Sequence, residues 1–323
     1  MASELSSIES LLLKAAQVYK TLSLRVSRST WMAKDTQPDY VRTYQGLGDN
    51  RVFIPASASS SARRPLVVNI HGGGWALGNP SEDDPLCRYL ADYCNCTVVG
   101  INYPKAPQRP FPGGLRSHSR RHSRELNVDT SRVTLIGSSA GGNLVLSTAQ
   151  AQNLIGKITA VIALYPLVDF SMPRELKLEN RPDASEKKDM LYSAYHLLRR
   201  QYLQNGESLK DPRVSPFFFP GRTMLPKHVY IIGCARDMLC YEASLFADKL
   251  VEGDKGKKIE TEYGWRSGAV VWDLIKDQVH AFNQFKAKDA EKEIKRVQEI
   301  ERLHKRIGDW LISDVFAGAR TEH

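Results

Sequence analysis

Arg132-Val133-Thr134-Leu135-Ile136-Gly137-Ser138-Ser139-Ala140-Gly141-Gly142-Asn143-Leu144-Val145-Leu146 decides the fold of this chain. A short β-branched run, Arg132 to Ile136, enters a G-x-S-x-G turn, and Asn143 to Ala149 reads as the start of a helix. Strand, sharp turn and helix together are the context in which a serine hydroxyl is held out at the end of a sheet. The glycines answer a steric need: a serine on so tight a turn has strained backbone angles, and its neighbours must be small for strand and helix to approach. Working outward, the apolar run Leu66–Ile70 is followed by His71-Gly72-Gly73-Gly74-Trp75. Successive glycines after a buried strand let the backbone pass close to a reacting carbonyl with N–H groups pointing inward. The amide after the serine, that of Ala140, adds another donor. Either motif alone fits an ordinary small-residue turn. The pair, each in its strand context, points to an enzyme.

At 323 residues the chain can bury a large core and suits one α/β body with a smaller attached cap. A net charge of +9 raises the question of an anionic partner. Much of the excess is local, in Arg116-Ser117-His118-Ser119-Arg120-Arg121-His122-Ser123-Arg124. No aromatic or groove-reading motif accompanies that run, so we expect a solvated crossover and no nucleic-acid partner. The first residues lack a basic n-region, Leu11-Leu12-Leu13 is too short for a signal h-region, and no apolar stretch is long enough to span a bilayer. Cys87, Cys94, Cys96, Cys234 and Cys240 are odd in number and lack paired metal spacing. They read as reduced structural thiols, with no metal and no cofactor expected and a cytoplasmic location. The oligomeric state is left open.

Nearly continuous apolar runs at Leu66–Ile70, Thr97–Tyr103, Val133–Ile136, Ala160–Tyr165 and His228–Gly233 look like strands buried on both faces of a parallel sheet. Tyr40–Tyr44 and Arg51–Ile54 add two more strands, and Ala56–Ala62 reads as a loop. Helical patterns separate most of the buried runs, giving a βαβα order. Ile8–Leu22 has the spacing of an amphipathic helix. Between Phe170 and Pro216 the alternation stops, and Asp189–Leu198 reads as an amphipathic helix in an insertion suited to capping a site. Ile294, Val297, Ile300, Ile307 and Trp310 mark one stripe of a C-terminal surface helix whose charges face solvent. We expect 1–38 and 170–215 to form the cap, and 39–169 with 216–323 to form the body.

A serine hydroxyl needs a base at neutral pH. In this architecture the chain order is serine, acid, histidine. Of eight histidines, His71, His118 and His122 precede Ser139. His196 lies on the cap helix, His228 precedes a strand, His304 sits within the charged helix and His323 is terminal. His280, after the last strand candidate and before the last helix, remains. The acid should lie just past a late strand, and Asp237 after Val229–Gly233 fits best. Asp169, after Ala160–Tyr165, is its competitor, with a turn or cap ligand as its ordinary role.

Taken together, HGGGW at 71–75, Asn102–Pro107 with Phe111-Pro112, GSSAGGN at 137–143, Asp211-Pro212-Arg213-Val214-Ser215-Pro216 and the segments around Asp237 and His280 follow one family's order. The chain resembles the hormone-sensitive-lipase-like carboxylesterases of the α/β-hydrolase superfamily over roughly residues 40–285. The resemblance implies an eight-stranded, mostly parallel sheet flanked by helices with a helical cap. It implies a triad of Ser139, Asp237 and His280, an oxyanion hole from Gly73, Gly74 and Ala140, and cofactor-free cleavage of small-molecule carboxylic esters. Lactone or thioester cleavage in a biosynthetic pathway is the neighbouring alternative. A ligand receptor on the same fold, which loss of the histidine would mark, is the more distant one. Two stretches depart from the family. The basic run replaces an apolar-faced helix, so that His118 and His122 stand where leucines would pack and 115–126 is expected to fray. Tyr263–Val270 lengthens the segment between Asp237 and His280.

Overall fold

The structure is a computed structural model that describes residues 36–44, 46–57, 63–113, 126–185, 189–253 and 258–317. The expected helix at Ile8–Leu22 lies outside these residues. So do most of Ala56–Ala62 and all of the basic run; of 115–126 only Leu126 is described, buried against the sheet's early strands.

The apolar runs form the expected strands, most with ends moved by a few residues. They are β1 (Tyr40–Thr43), β2 (Asp49–Phe53), β3 (Arg64–Ile70), β4 (Thr97–Ile101), β5 (Val128–Ser138), β6 (Ala160–Leu164) and β7 (His228–Cys234). Three more strands follow: β8 (Ile259–Glu260), β9 (Gly264–Ser267) and β10 (Val270–Ile275). Among the described residues the sheet is ten-stranded, in the order β1-β2-β4-β3-β5-β6-β7-β10-β9-β8. The eight-stranded expectation is therefore corrected. The segment Tyr263–Val270 is half of a hairpin that adds β9 and β8 antiparallel to the far edge. From β4 through β10 the neighbouring strands are parallel, as the continuous apolar runs require. Asp273 hid β10 from a reading of apolar runs. It is buried in mid-strand because the Tyr230 hydroxyl and the Arg306 guanidinium both donate to its carboxylate.

Helices α1 (Asp84–Cys94) and α6 (Ala290–Trp310) cover one face of the sheet, with Leu86, Leu90, Leu303 and Ile307 packed on Val67, Ile136 and Ile162. Helices α2 (Ala140–Ala149) and α5 (Cys240–Leu250) cover the other, where Leu144, Val145 and Phe246 share a core with Val161 and Ile231. The α6 stripe needs a partial correction. Ile307 and Trp310 are buried, but Ile294 is exposed, and Glu293 and Arg296 are buried in its place. Arg296 pairs with Glu293 and donates to the Phe282 carbonyl, so these charges do not face solvent.

Between β6 and β7 come α3 (Arg174–Glu179) and α4 (Met190–Tyr202). Asp189 caps α4 by accepting from the Leu191 N–H at 2.7 Å, as an Asp before an apolar-periodic run should. Tyr195 and Tyr202 of α4 are buried in the same core as α2 and α5. Tyr202 stacks on Trp75 of the glycine turn with ring centroids 4.5 Å apart.

Candidate active site

Ser139 stands on the turn between β5 and α2 with φ 55, and its half-buried side chain is not engaged in capping the helix. Two glycines permit this turn. A Cβ at Gly137 would meet the Gly141 carbonyl oxygen at 2.4 Å, and one at Gly141 would meet the Ile70 carbonyl oxygen at 1.9 Å. Both obstacles are backbone, so neither position accepts a side chain.

The structure brings Ser139, His280 and Asp237 into one hydrogen-bonded line. The Ser139 hydroxyl donates to His280 Nε2 at 2.8 Å, and His280 Nδ1–H donates to Asp237 Oδ2 at 2.7 Å. Because a carboxylate can only accept, the Asp237 contact fixes Nδ1 as the protonated nitrogen and leaves Nε2 as the acceptor. Asp237 and His280 are buried, and the second carboxylate oxygen of Asp237 accepts from the Leu239 N–H. The competing Asp169 is turned elsewhere: its Oδ1 accepts from the N–H and hydroxyl of Ser171 and from the Met172 N–H. That is the turn-ligand role.

The expected amide donors lie on the two motifs. Gly73 and Gly74 have φ of 117 and 59, values that side-chain-bearing residues adopt at a cost. The Leu77 and Ala76 N–H groups both donate to the Gly73 carbonyl and hold the turn closed. Ala140 is the first residue of α2, where an N–H has no intrahelical acceptor. Among the described residues, no acceptor takes the N–H of Gly73, Gly74 or Ala140.

Three supports of the line were not read from the sequence. Arg236, next to the acid, donates to the Asp277 carboxylate and carbonyl and to Asp183, and its N–H donates to the Gln278 carbonyl, clamping the acid loop to the histidine loop. Tyr165 sets its ring edge-on to His280 at 4.9 Å and donates its hydroxyl to Asn283. Asp189 accepts from the Met238 N–H at 2.8 Å with the carboxylate that caps α4, tying α4 to the residue after Asp237. Burial, and then the charge of Asp237, raise the Asp189 pKa. Only Asp189 left a signal, as an N-cap residue. The other two act through contacts between distant segments.

Ser139 opens on a pocket walled by Gly74 and Trp75 of the glycine turn, Leu167 and Phe170 after β6, and Leu239 after the acid. Helix α4 closes it with Leu191, Tyr195, Leu198 and Arg199. Such a wall takes an apolar group and holds it beside the serine hydroxyl. Among the described residues no group of His, Cys, Asp and Glu is arranged to hold a metal ion, and no helix is long and apolar enough to cross a membrane.

Fold, strand order and the serine turn together define an α/β hydrolase. A family model described as the alpha/beta hydrolase fold matches residues 67–265, more than half of the chain, and the chain belongs to that family. It is 26% identical over 253 residues to an AB hydrolase superfamily protein of Schizosaccharomyces pombe, covering 73% of this chain and 72% of that protein. It is 27% identical over 209 residues to an arylesterase of Saccharolobus solfataricus, covering 62% of this chain and 66% of that one. The fold superposes on the hyperthermophilic esterase of the archaeon Pyrobaculum calidifontis with a TM-score of 0.73 at 22% identity, over 93% of this chain and 91% of that one.

Proposed function

We propose that this protein is a serine carboxylesterase that cleaves small-molecule esters through an acyl-enzyme on Ser139. The ester carbonyl enters the pocket with its oxygen toward the N–H groups of Gly73, Gly74 and Ala140. Ser139 Oγ attacks the carbonyl carbon while His280 Nε2 takes its proton, and Asp237 keeps the ring oriented and stabilises the imidazolium. The amides carry the negative charge on the tetrahedral oxygen. When that intermediate collapses, the bond to the alcohol oxygen breaks and His280 gives it the proton. Water then attacks the acyl carbon, its proton goes to His280, and the acid departs as Ser139 recovers its hydrogen. Every step uses groups of the chain and water.

The observation that carries this reading is the line Ser139–His280–Asp237, at 2.8 and 2.7 Å, together with the Gly73, Gly74 and Ala140 amides, which among the described residues have no acceptor. The ester-cleaving names of the relatives support the same reaction class. We assign the described residues of 170–215 to a cap, and those of 39–169 with 216–323 to the body. A cytoplasmic setting suits five cysteines that are all buried, free thiols.

The test is Ser139→Ala on p-nitrophenyl esters of graded acyl length. The variant should fold as wild type and lose on the order of 10⁴–10⁶ in turnover, the scale of losing a triad nucleophile. A fluorophosphonate probe should label the wild type only. Equal labelling of both proteins would overturn the assignment.

A further inference from the structure

The pocket beside Ser139 has an asymmetric chemistry. Its wall is built mostly from leucine, phenylalanine, tyrosine, tryptophan and glycine, yet α4 contributes one cation, Arg199, and among the described residues no acidic side chain lines it. Arg199 is half-buried, and among the described residues its side chain makes no hydrogen bond or ion pair. Contrast the other guanidiniums near the site: Arg236 is shared by Asp183 and Asp277, and Arg174 bonds Glu175 and the Tyr192 carbonyl. The charge of Arg199 acts on the Tyr195 phenol one turn earlier, so its head lies within reach of that part of the wall.

Trp75 Nε1–H is shut away from solvent and makes no hydrogen bond among the described residues, and the Tyr195 hydroxyl has the Lys177 ammonium beside it as a hydrogen-bond partner. An indole N–H can only donate, a guanidinium can only donate, and burial raises the pKa of Tyr195 so that its hydroxyl keeps its proton. Among the described residues of the wall, no carboxylate stands ready to meet the Arg199 guanidinium. An arginine stem can lie on apolar surface while its head receives an anion at the outer end of an apolar group.

We propose that the preferred substrates are esters with one apolar arm that ends in a carboxylate, the arm packed on Leu191, Leu198 and Phe170 and the carboxylate received by Arg199. This rests on the hydrolase reading above. It goes further in naming the charge of the substrate and the residue that reads it.

The experiment compares p-nitrophenyl hydrogen adipate with p-nitrophenyl methyl adipate, which differ only in the charge at the far end. The readout is the ratio of their kcat/KM values, so a general loss of activity cancels. Wild type should favour the acid by about tenfold or more at low salt, narrowing toward about 1 M salt. Arg199→Met should bring the ratio close to one, and Arg199→Lys should keep part of it. A wild-type ratio at or below one, or a ratio unchanged in Arg199→Met, overturns the proposal. Calorimetric titration of Ser139→Ala with monomethyl adipate and with dimethyl adipate reads the same preference without turnover. Tighter binding of the monoacid, lost on adding Arg199→Met, upholds the anion site even if no ester is cleaved and the hydrolase reading falls. Equal binding of the two overturns it even if both esters are cleaved.

Discussion

Ser139, Tyr165, Asp277 and Ala281 all hold φ between 38 and 59, and each lies on the serine turn, on the loop of His280 or against its imidazole. Non-glycine residues in this region cost of order 1–3 kcal/mol each and persist only where surrounding contacts fix them. The clamp of Arg236 on Asp277 and the Tyr165–Asn283 bond are such contacts. At this scale the two candidate acids can be separated by experiment. Asp237→Asn should lower kcat by about 10⁴, because the amide no longer sets the histidine tautomer. Asp169→Asn should leave kcat within about tenfold and act on stability through the Ser171–Met172 turn. Comparing the two in folded protein checks this, and a larger kcat loss for Asp169→Asn would reverse the assignment. Gly73 and Gly74 separate just as clearly. A Cβ at Gly73 meets the Leu77 backbone oxygen at 2.2 Å, whereas the nearest atoms to one at Gly74 belong to the Leu198 side chain, the closest at 2.6 Å. Gly73→Ala should therefore be irreparable. Gly74→Ala should be partly rescued in kcat/KM by Leu198→Ala, as a non-additive double-mutant cycle. Serine, histidine and acid were legible because their chemistry and chain order leave few choices. Arg236 and Tyr165 were not, because nothing local distinguishes an arginine that will bridge two loops.

Among the elements, α6 shows where pattern reading stops. Its C-terminal half follows the apolar stripe, while its N-terminal half buries Glu293 and Arg296 to hold the Phe282 carbonyl beside His280. Periodicity counts apolar side chains and passes over a salt-bridged pair. The same blindness hid β10, whose buried Asp273 breaks an otherwise apolar run. His304, in the buried part of α6 against Tyr89 of α1, carries a measurable consequence. Burial lowers its pKa from 6.5 to about 4. The unfolded chain binds a proton near pH 6.5, and the folded chain only near pH 4. Stability from this site is thus complete above pH 6.5 and is lost as pH falls through that window, by about 3 kcal/mol at its foot. His304→Leu keeps the apolar contact and removes the titration. The fall in Tm between pH 7.5 and pH 4.5 should be smaller in the variant than in wild type. An equal fall would show that His304 is not the titrating group.

For the whole molecule, the sheet order could not be read from any run of residues, since it is set by crossovers between strands far apart in the chain. What joins α3 and α4 to the rest of the fold is likewise non-local. Lys177 of α3 and Glu242 of α5 are both fully buried and form an ion pair at 2.5 Å. Lys177 also donates to the Asp169 carbonyl, and Glu242 accepts from the Val168 N–H, so the pair fixes the chain as it leaves β6 for α3. Tyr195 of α4 lays its ring 5.2 Å from the Lys177 ammonium, which carries the tether into the pocket wall. Removing one partner strands the other charge in the core, at a cost of about 3–5 kcal/mol, whereas replacing both with apolar groups of similar volume is often neutral. Lys177→Met should therefore lower stability by about that amount in denaturant unfolding and raise KM as α3 and α4 loosen. Lys177→Met with Glu242→Leu should recover most of the stability. Recovery of KM would follow only in part, because the Val168 N–H loses its acceptor and the segment that carries Leu167 and Phe170 into the pocket loses a fixed point. A double variant no more stable than Lys177→Met would mean that the pair contributes shape to this junction and not charge compensation.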